Sequence, residues 1–233
     1  MGNRLAHRLS IREEDERTEG FTLVELLVTM TILLVLLGMV FVAFVAVTQS
    51  FLTQEAYTDS LRVNASAMNR MTETIRAGTE IQVEDAANRP AFVVAGPNEM
   101  VVYISKRPVP ERTIFSVDQD TLVMGTAPAD LSSDPYWEFP GDDGGELSLS
   151  SYGEVRQIAH RIPESRPSIF TYYDAEGQDL GISTLLTLPD DRTTLQRIRS
   201  VEIRLTVDSQ PTFGSPVEIQ DRVVLPNLGV IQE

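Results

Sequence analysis

Residues 26–54 contain no charged side chain, and as far as Val47 the run is almost entirely Leu, Val, Met, Ile, Phe and Ala. A bilayer is crossed by ~20 consecutive apolar residues, so this stretch is long enough to span one. In lipid the backbone has to satisfy its own hydrogen bonds, which predicts a helix here. Gly38 lies inside the run, where membrane spans tolerate glycine. A cleavable secretory signal has an apolar core of only ~7–15 residues, closed by small residues of A-x-A type. Here the run is longer and continues into Val47-Thr48-Gln49-Ser50-Phe51 without such a site. Ahead of it stand Arg4, Arg8, Arg12 and Arg17, interleaved with Glu13, Glu14, Asp15, Glu16 and Glu19. Counted over Lys and Arg, the positive-inside tendency puts residues 1–20 in the cytoplasm and residues 55–233 outside.

Composition narrows the function classes. The 233 residues carry 34 acidic against 19 basic side chains, a net charge of −15. A chain this acidic repels phosphate backbones, so no direct nucleic-acid contact is expected. It also offers no polybasic patch for anionic lipid. There is no cysteine, hence no disulfide framework, thiolate metal site or cysteine nucleophile. Only His7 and His160 could serve a histidine-based metal site or triad. The sequence shows neither a Gly-rich phosphate loop after a strand nor a nucleophile elbow. These features lead to the expectation of a non-enzymatic protein without a cofactor.

The boundary of the apolar run is more informative than its interior. It reads Arg17-Thr18-Glu19-Gly20-Phe21-Thr22-Leu23-Val24-Glu25-Leu26-Leu27, so one carboxylate, Glu25, opens the span. A charge within a membrane costs ~2.5–3.5 kcal/mol on insertion scales and marks a candidate functional residue. The pattern G-F-T-L-x-E followed by about twenty apolar residues resembles the class III signal of type IV prepilins and type II secretion pseudopilins.

The resemblance implies that a membrane aspartyl peptidase cuts after Gly20 and that the new amine of Phe21 is then methylated. It implies that Glu25 neutralises that amine, on its own chain or a neighbouring subunit, when the helices pack side by side in a filament. The chemistry is coherent. A glycine lets a protease approach the backbone closely. A charge pair is tolerated in low dielectric where either charge alone is not, and a carboxylate is favoured near a helix N-terminus. One departure stands out: the family's leader usually ends in basic residues close to the glycine, whereas here the nearest is Arg17, with Glu19 between.

Beyond the span the helix is predicted to continue over residues 55–78. Tyr57, Leu61, Ala65, Met68, Met71 and Ile75 recur at helical spacing as a stripe to bury, with Glu55, Asp59, Arg62, Asn69, Glu73 and Arg76 on other faces. Gly78 stands where a helix stop is expected. From Thr79 the pattern turns strand-like, at Val83, 92–94, 100–104, 114–117, 122–124, 155–162, 169–173, 198–207 and 217–225, with residues 132–151 as a Pro-, Gly- and Asp-rich loop. Alternation in the 198–207 strand buries Val201, Ile203, Leu205 and Val207 on one face. Residues 173–177 read as a hairpin turn.

The Phe170-x-Tyr172-Tyr173-Asp174-x-x-Gly177 segment followed by that strand is similar to the heads of PilW-type minor pilins and J-type minor pseudopilins. The similarity implies a minor subunit at the tip or in initiation of a filament.

Two acidic groups are weak calcium candidates, since hard cations gather oxygens: Asp174, Glu176 and Asp179 around Gly177, and Asp142 with Asp143. A polar hairpin turn accounts better for the first group and a solvated loop for the second, and no metal is expected. His160 reads as a surface or edge residue. Trp137, beside Tyr136 and Phe139, reads either as the core of a loop or as a contact patch.

The fold expected is α+β, a long N-terminal helix packed by its second half on an antiparallel β-sheet head. It divides into a leader at 1–20, a transmembrane or filament-core helix at 21–54, an amphipathic continuation at 55–78 and an extracytoplasmic head at 79–233. The partners implied by the resemblance are a prepilin peptidase, other pilin or pseudopilin subunits, the assembly platform and the membrane. The residues by themselves leave open a permanently anchored single-pass binding or adhesion protein, and a membrane-tethered enzyme whose carboxylates share a pocket.

Overall fold

The computed structural model describes residues 21–82, 88–105, 109–133, 136–139, 149–208 and 216–228. The chain divides into two compact units, Met1–Ser50 and Phe51–Glu233. One helix, α1 (Leu23–Arg76), contributes to both.

In the first unit, residues 21–50 are exposed along their whole length. The span is long and apolar enough to cross a membrane. Its threonines do not disturb that surface. The hydroxyls of Thr29, Thr31 and Thr48 donate to the carbonyls of Leu26, Val28 and Phe44 at 2.8–2.9 Å. Each polar hydrogen is thus used inside the helix, as an apolar surrounding requires.

The second unit holds the rest of α1 and two antiparallel sheets. The larger sheet is built from β1 (Phe92–Ala95), β2 (Glu99–Ile104), β3 (Glu111–Asp118), β4 (Thr121–Pro128), β5 (Glu154–Ala159) and β7 (Leu186–Thr187). Its order is β5-β4-β3-β2-β1-β7, and every neighbouring pair is antiparallel. The smaller sheet combines β6 (Phe170–Tyr173), β8 (Ser200–Val207) and β9 (Val217–Val224) in the order β6-β8-β9. A short helix, α2 (Arg192–Arg197), precedes β8. The head is therefore antiparallel, as the sequence leads one to expect, but it is split into two sheets.

One core cluster unites Met68, Met71 and Ile75 of α1 with Phe92, Met100 and Phe115 of the larger sheet and Phe170, Val201, Ile203 and Leu205 of the smaller. The opposite face of the larger sheet is covered as well: Val93, Val101, Tyr103 and Ile114 pack with Phe139 and Tyr152. Trp137, half-buried, packs against this second cluster. Covering both faces removes the need for alternation, which is why β1 and β2 read as unbroken apolar runs. In β8, Val201, Ile203, Leu205 and Val207 are buried while Glu202, Arg204 and Thr206 are half-buried, matching the predicted pattern.

Polar contacts fix how these layers meet. The Tyr172 hydroxyl on β6 donates to the Gly96 carbonyl at 2.9 Å and accepts from the Gly96 N–H at 3.2 Å, tying the two sheets together. Its ring meets Phe92 edge-on, with centroids 6.0 Å apart. The edge strand β9 is engaged by α1: Asn64 Nδ2 donates to the Val217 carbonyl at 2.7 Å, and Thr72 Oγ1 donates to Asp221 Oδ2 at 3.3 Å. Covering a strand edge in this way withholds it from unwanted pairing.

Several sequence expectations are corrected. The buried stripe of α1 is Ala56, Ser60, Asn64, Ala67, Met68, Met71, Thr72, Thr74 and Ile75. Tyr57 and Ala65 are exposed and Leu61 is half-buried. The upper part of the predicted stripe is displaced because Ser60 Oγ and Asn64 Nδ2, polar in sequence, donate to the Ala56 and Val217 carbonyls, which offsets part of the cost of burying them, although Asn64 Oδ1 is buried without a partner. The 155–162 strand ends at Ala159. Arg161 turns the chain with φ 61°, and the Ile162 N–H goes to the Asp120 carbonyl. The 198–207 strand begins at Ser200, because α2 ends at Arg197.

At 173–177 the turn is present, with Gly177 at φ 78° and its N–H on the Asp174 carbonyl at 3.2 Å, but the chain returns only as a single bridge, Tyr173 to Asp179. In the 132–151 loop, short 3-10 turns occupy Leu131–Ser133 and Leu149–Ser151. Val83 lies outside the described residues, as do 134–135 and 140–148 of that loop.

Gly78 follows α1 as predicted. A Cβ there would come within 2.7 Å of Leu225 Cδ2 and 2.9 Å of the Ile75 carbonyl oxygen, so close packing requires the glycine.

Candidate functional site: the start of the long helix

Of the residues singled out at the apolar boundary, Phe21 and Glu25 are described and Gly20 lies outside the described residues. Phe21 precedes the helix and is 74 % exposed. Thr22 is the last residue before α1. Its Oγ1 accepts the Glu25 backbone N–H at 3.2 Å, and its carbonyl accepts the Leu26 N–H at 3.1 Å. These two bonds make Thr22 the N-cap, satisfying one of the four donors that a helix start leaves free.

Glu25 is then the third helical residue and the acidic side chain of the first turn. Thr22-x-x-Glu25 is the sequence signature of a capping box. The carboxylate is exposed in the chain by itself and stands at the positive end of the helix dipole, where negative charge is favoured. Sequence reasoning gave Thr22 no separate role. The signal was available, as a threonine three residues ahead of a glutamate at the start of an apolar run.

In chemical terms, an exposed aromatic residue stands just before a capped helix end, and one turn farther on stands the exposed carboxylate of Glu25. An amine created at Phe21 would have a counter-charge within one turn, on its own helix or on an adjacent one. Residues 17–41 match the family profile described as the prokaryotic N-terminal methylation motif. The match supports a type IV pilin-like prepilin. It covers the junction and the first part of the span, and it implies processing by a prepilin peptidase and assembly with other pilin subunits. Together with the apolar helix it supports anchoring in a membrane before assembly. No curated protein matches the chain in sequence.

The calcium candidates are placed differently. Asp174 is buried: its Oδ1 accepts the Gln178 N–H at 2.8 Å and its Oδ2 accepts Arg197 Nη2 at 3.3 Å. The Gln178 N–H, helped by Arg197, holds its carboxyl below the usual aspartate value. Asp179 Oδ1 accepts the Gly181 N–H at 2.8 Å, and Glu176 is exposed. Among the described residues, no three acidic or histidine side chains gather as metal ligands. Asp142 and Asp143 lie outside the described residues.

His160 is exposed just past β5. A groove of about 560 Å³ runs between α1 and the β4–β5 side of the larger sheet, walled by Arg70, Glu73, Glu111, Glu154 and Arg156.

Proposed function

We propose that the chain is a minor subunit of a type IV pilus-like filament or type II secretion pseudopilus, acting at the tip or in initiation, and that it is a structural protein without enzymatic activity. The single observation that carries this reading is the junction: Phe21 outside the helix, the Thr22 cap and Glu25 in the first turn, within a stretch matching the methylation motif. The chain waits in the cytoplasmic membrane with its head outside. A peptidase removes residues 1–20, the amine of Phe21 is methylated, and an assembly platform draws the helix out of the membrane.

Extraction is affordable because the helix leaves one apolar medium for another, a filament core of neighbouring helices. Glu25, costly in lipid, gains an amine as partner there. The minor role is supported by the length of the chain, since major pilins are usually shorter, and by the Phe170–Gly177 segment that precedes β8.

The reading is tested by shearing and purifying filaments from cells that carry tagged protein. The tagged chain should co-purify at far below the major subunit's abundance, and filament number should fall when the chain is deleted. A chain found only in the membrane fraction, with filament number unchanged by its deletion, contradicts the proposal.

A further inference from the structure

Strands β6 and β7 close their outer edges with bonds inside the chain. The Phe170 N–H goes to the Pro97 carbonyl at 3.1 Å, and the Tyr172 carbonyl takes the Leu180 N–H at 2.9 Å. Asp191 engages both outward groups of Thr187: its Oδ2 accepts the Thr187 N–H at 2.9 Å, and its own N–H donates to the Thr187 carbonyl at 3.0 Å. β9 lies against α1 through Asn64 and Thr72. The edge of β5 is different. We propose that it is a docking edge, taking up an extended segment of a neighbouring subunit as an added antiparallel strand. That the donor is a subunit rests on the filament reading; that the edge accepts a strand does not.

The ladder fixes which backbone groups face out. The Ala129 N–H bonds the Pro110 carbonyl at 3.0 Å, in register with the β3–β4 pairing. In β4 the odd-numbered residues therefore bond toward β3 and the even-numbered ones toward β5. Met124 stands opposite Arg156, and Thr126 opposite Glu154. Glu154 and Arg156 thus bond β4, while Val155 and Gln157 turn their N–H and C=O groups to the open side. Those groups take no further partner among the described residues, and residues 154–157 are all exposed. An open row of this kind is a template for another strand.

The side chains along the edge specify the guest. A strand added there lies ~4.8 Å from β5, beside the groove between α1 and the β4–β5 side. Glu154 and Arg156 line that groove. They pair with each other, but both side chains are more than half exposed, so the pair is weak and open to exchange. Val155, 46 % exposed, stands on the other face. In antiparallel register on Val155, a segment reading acidic, apolar, basic in chain order sets its acid opposite Arg156 and its base opposite Glu154. The reverse order sets like charges opposite each other, so the edge rejects most strands and admits one pattern.

Glu154-Val155-Arg156 itself has this order, so β5 of a second copy meets the charge rule. The two-fold axis between two paired β5 strands stands perpendicular to the sheet, however, and α1 packs along the sheet face. Such a pair has its two α1 helices running opposite ways, whereas spans anchored in one membrane run the same way. The guest is therefore a different chain.

The probe is a labelled synthetic peptide of residues 152–159, which carries the charge order without the helix. A second peptide exchanges its Glu and Arg. Each is titrated by fluorescence anisotropy against the full-length chain in detergent. We expect the first to bind with Kd at or below ~1 mM and the second about tenfold more weakly. Val155→Pro removes the outward N–H and no bond to β4, so it should abolish binding with the unfolding temperature near that of the wild type. A chain carrying both Glu154→Arg and Arg156→Glu should reverse the preference between the peptides. In sheared filaments, a photo-crosslinking side chain at position 157 should join the chain to another subunit.

No binding of either peptide at ~1 mM, equal binding of both, or a preference unchanged by the double exchange overturns the inference. If Val155→Pro lowers the unfolding temperature, the double exchange alone decides. Crosslinking only to a second copy, or none, overturns the choice of guest. The filament reading fails separately, on the shearing test, because peptide binding is measured without filaments.

Discussion

Asn64 on the long helix donates its side-chain amide to the Val217 carbonyl at 2.7 Å, joining residues 153 positions apart at the opening of β9. Asn64 is fully buried, so neither group can turn to water instead. This bond, with Thr72 on Asp221, holds the last strand of the smaller sheet against the helix. Replacing Asn64 by Leu removes the helix's donor to the Val217 carbonyl, and the loss of one such hydrogen bond costs ~0.5–1.5 kcal/mol. Chemical denaturation of the full chain in detergent should show the midpoint falling accordingly. An unchanged midpoint would mean that the bond adds nothing to the docking of β9.

Gly78 sits where the helix hands over to the sheet. Gly78→Ala places a methyl 2.7 Å from Leu225 and 2.9 Å from the Ile75 carbonyl. The leucine can shift, but the helix carbonyl cannot do so cheaply. A loss of ~1–3 kcal/mol is expected, typical of forcing an extra carbon into a packed site. The same denaturation assay measures it.

Tyr172 makes the two side-chain bonds to Gly96 that, with the Phe170 N–H on the Pro97 carbonyl at 3.1 Å, link β6 to the Gly96 turn. Burial pushes its phenol well above the usual tyrosine value, with the bond to the Gly96 carbonyl opposing the shift. The raised value means that the unfolded chain loses the proton first. The contribution of Tyr172 is therefore complete below about pH 10, where tyrosine titrates when unfolded, and declines as pH rises above it. Tyr172→Phe should lower stability at neutral pH and flatten the alkaline arm of the stability–pH curve. An alkaline arm as steep as that of the wild type would contradict the assignment.

Asp174 predicts the opposite arm. Its carboxyl is held low by the Gln178 N–H first and by Arg197 beside it. A depressed carboxylate stabilises above its unfolded value, near pH 4, and loses that contribution as pH falls further. Asp174→Asn should leave a shallower acid arm below about pH 4 in thermal unfolding scans. A carboxyl resonance of Asp174 titrating at or above the ordinary aspartate value would sink this expectation.

Glu25 separates processing from assembly. It lies within the helix, past the cap, so the proposed cut does not depend on it. Glu25→Gln removes the counter-charge for the new amine while keeping size and polarity. Cleavage after Gly20 should persist, and incorporation into filaments should fall by an order of magnitude or more, since an unpaired charge in an apolar core costs several kcal/mol. Immunoblots of membrane and filament fractions report both quantities, and normal incorporation would remove Glu25 from its assigned role.

Much of this architecture was legible in the residues. The uncharged run, the Gly20–Glu25 junction and the strand alternation from Val201 to Val207 each follow from one dominant force acting locally. The failures occur where long-range partners decide. Ser60 and Asn64 look like solvent-facing residues until the Ala56 and Val217 carbonyls are in place to receive them. The hairpin-turn reading of 173–177 finds the turn at Gly177 but not that Asp174 turns inward to Gln178 and Arg197. The split into two sheets is invisible to pattern alone, because the Tyr172–Gly96 link that joins them spans 76 positions. α2 is a single short helix of polar composition with only Leu195 buried, so it carries no periodic signal.

The central claim is most directly tested by the N-terminus of the protein in cells with and without a prepilin peptidase, read by intact mass and peptide sequencing. The account predicts a chain beginning at methylated Phe21 when the peptidase is present and the full leader when it is absent, with substitution of Gly20 blocking the cut. A chain that keeps residues 1–20 in both cells, while another prepilin in the same cells is processed, would contradict it.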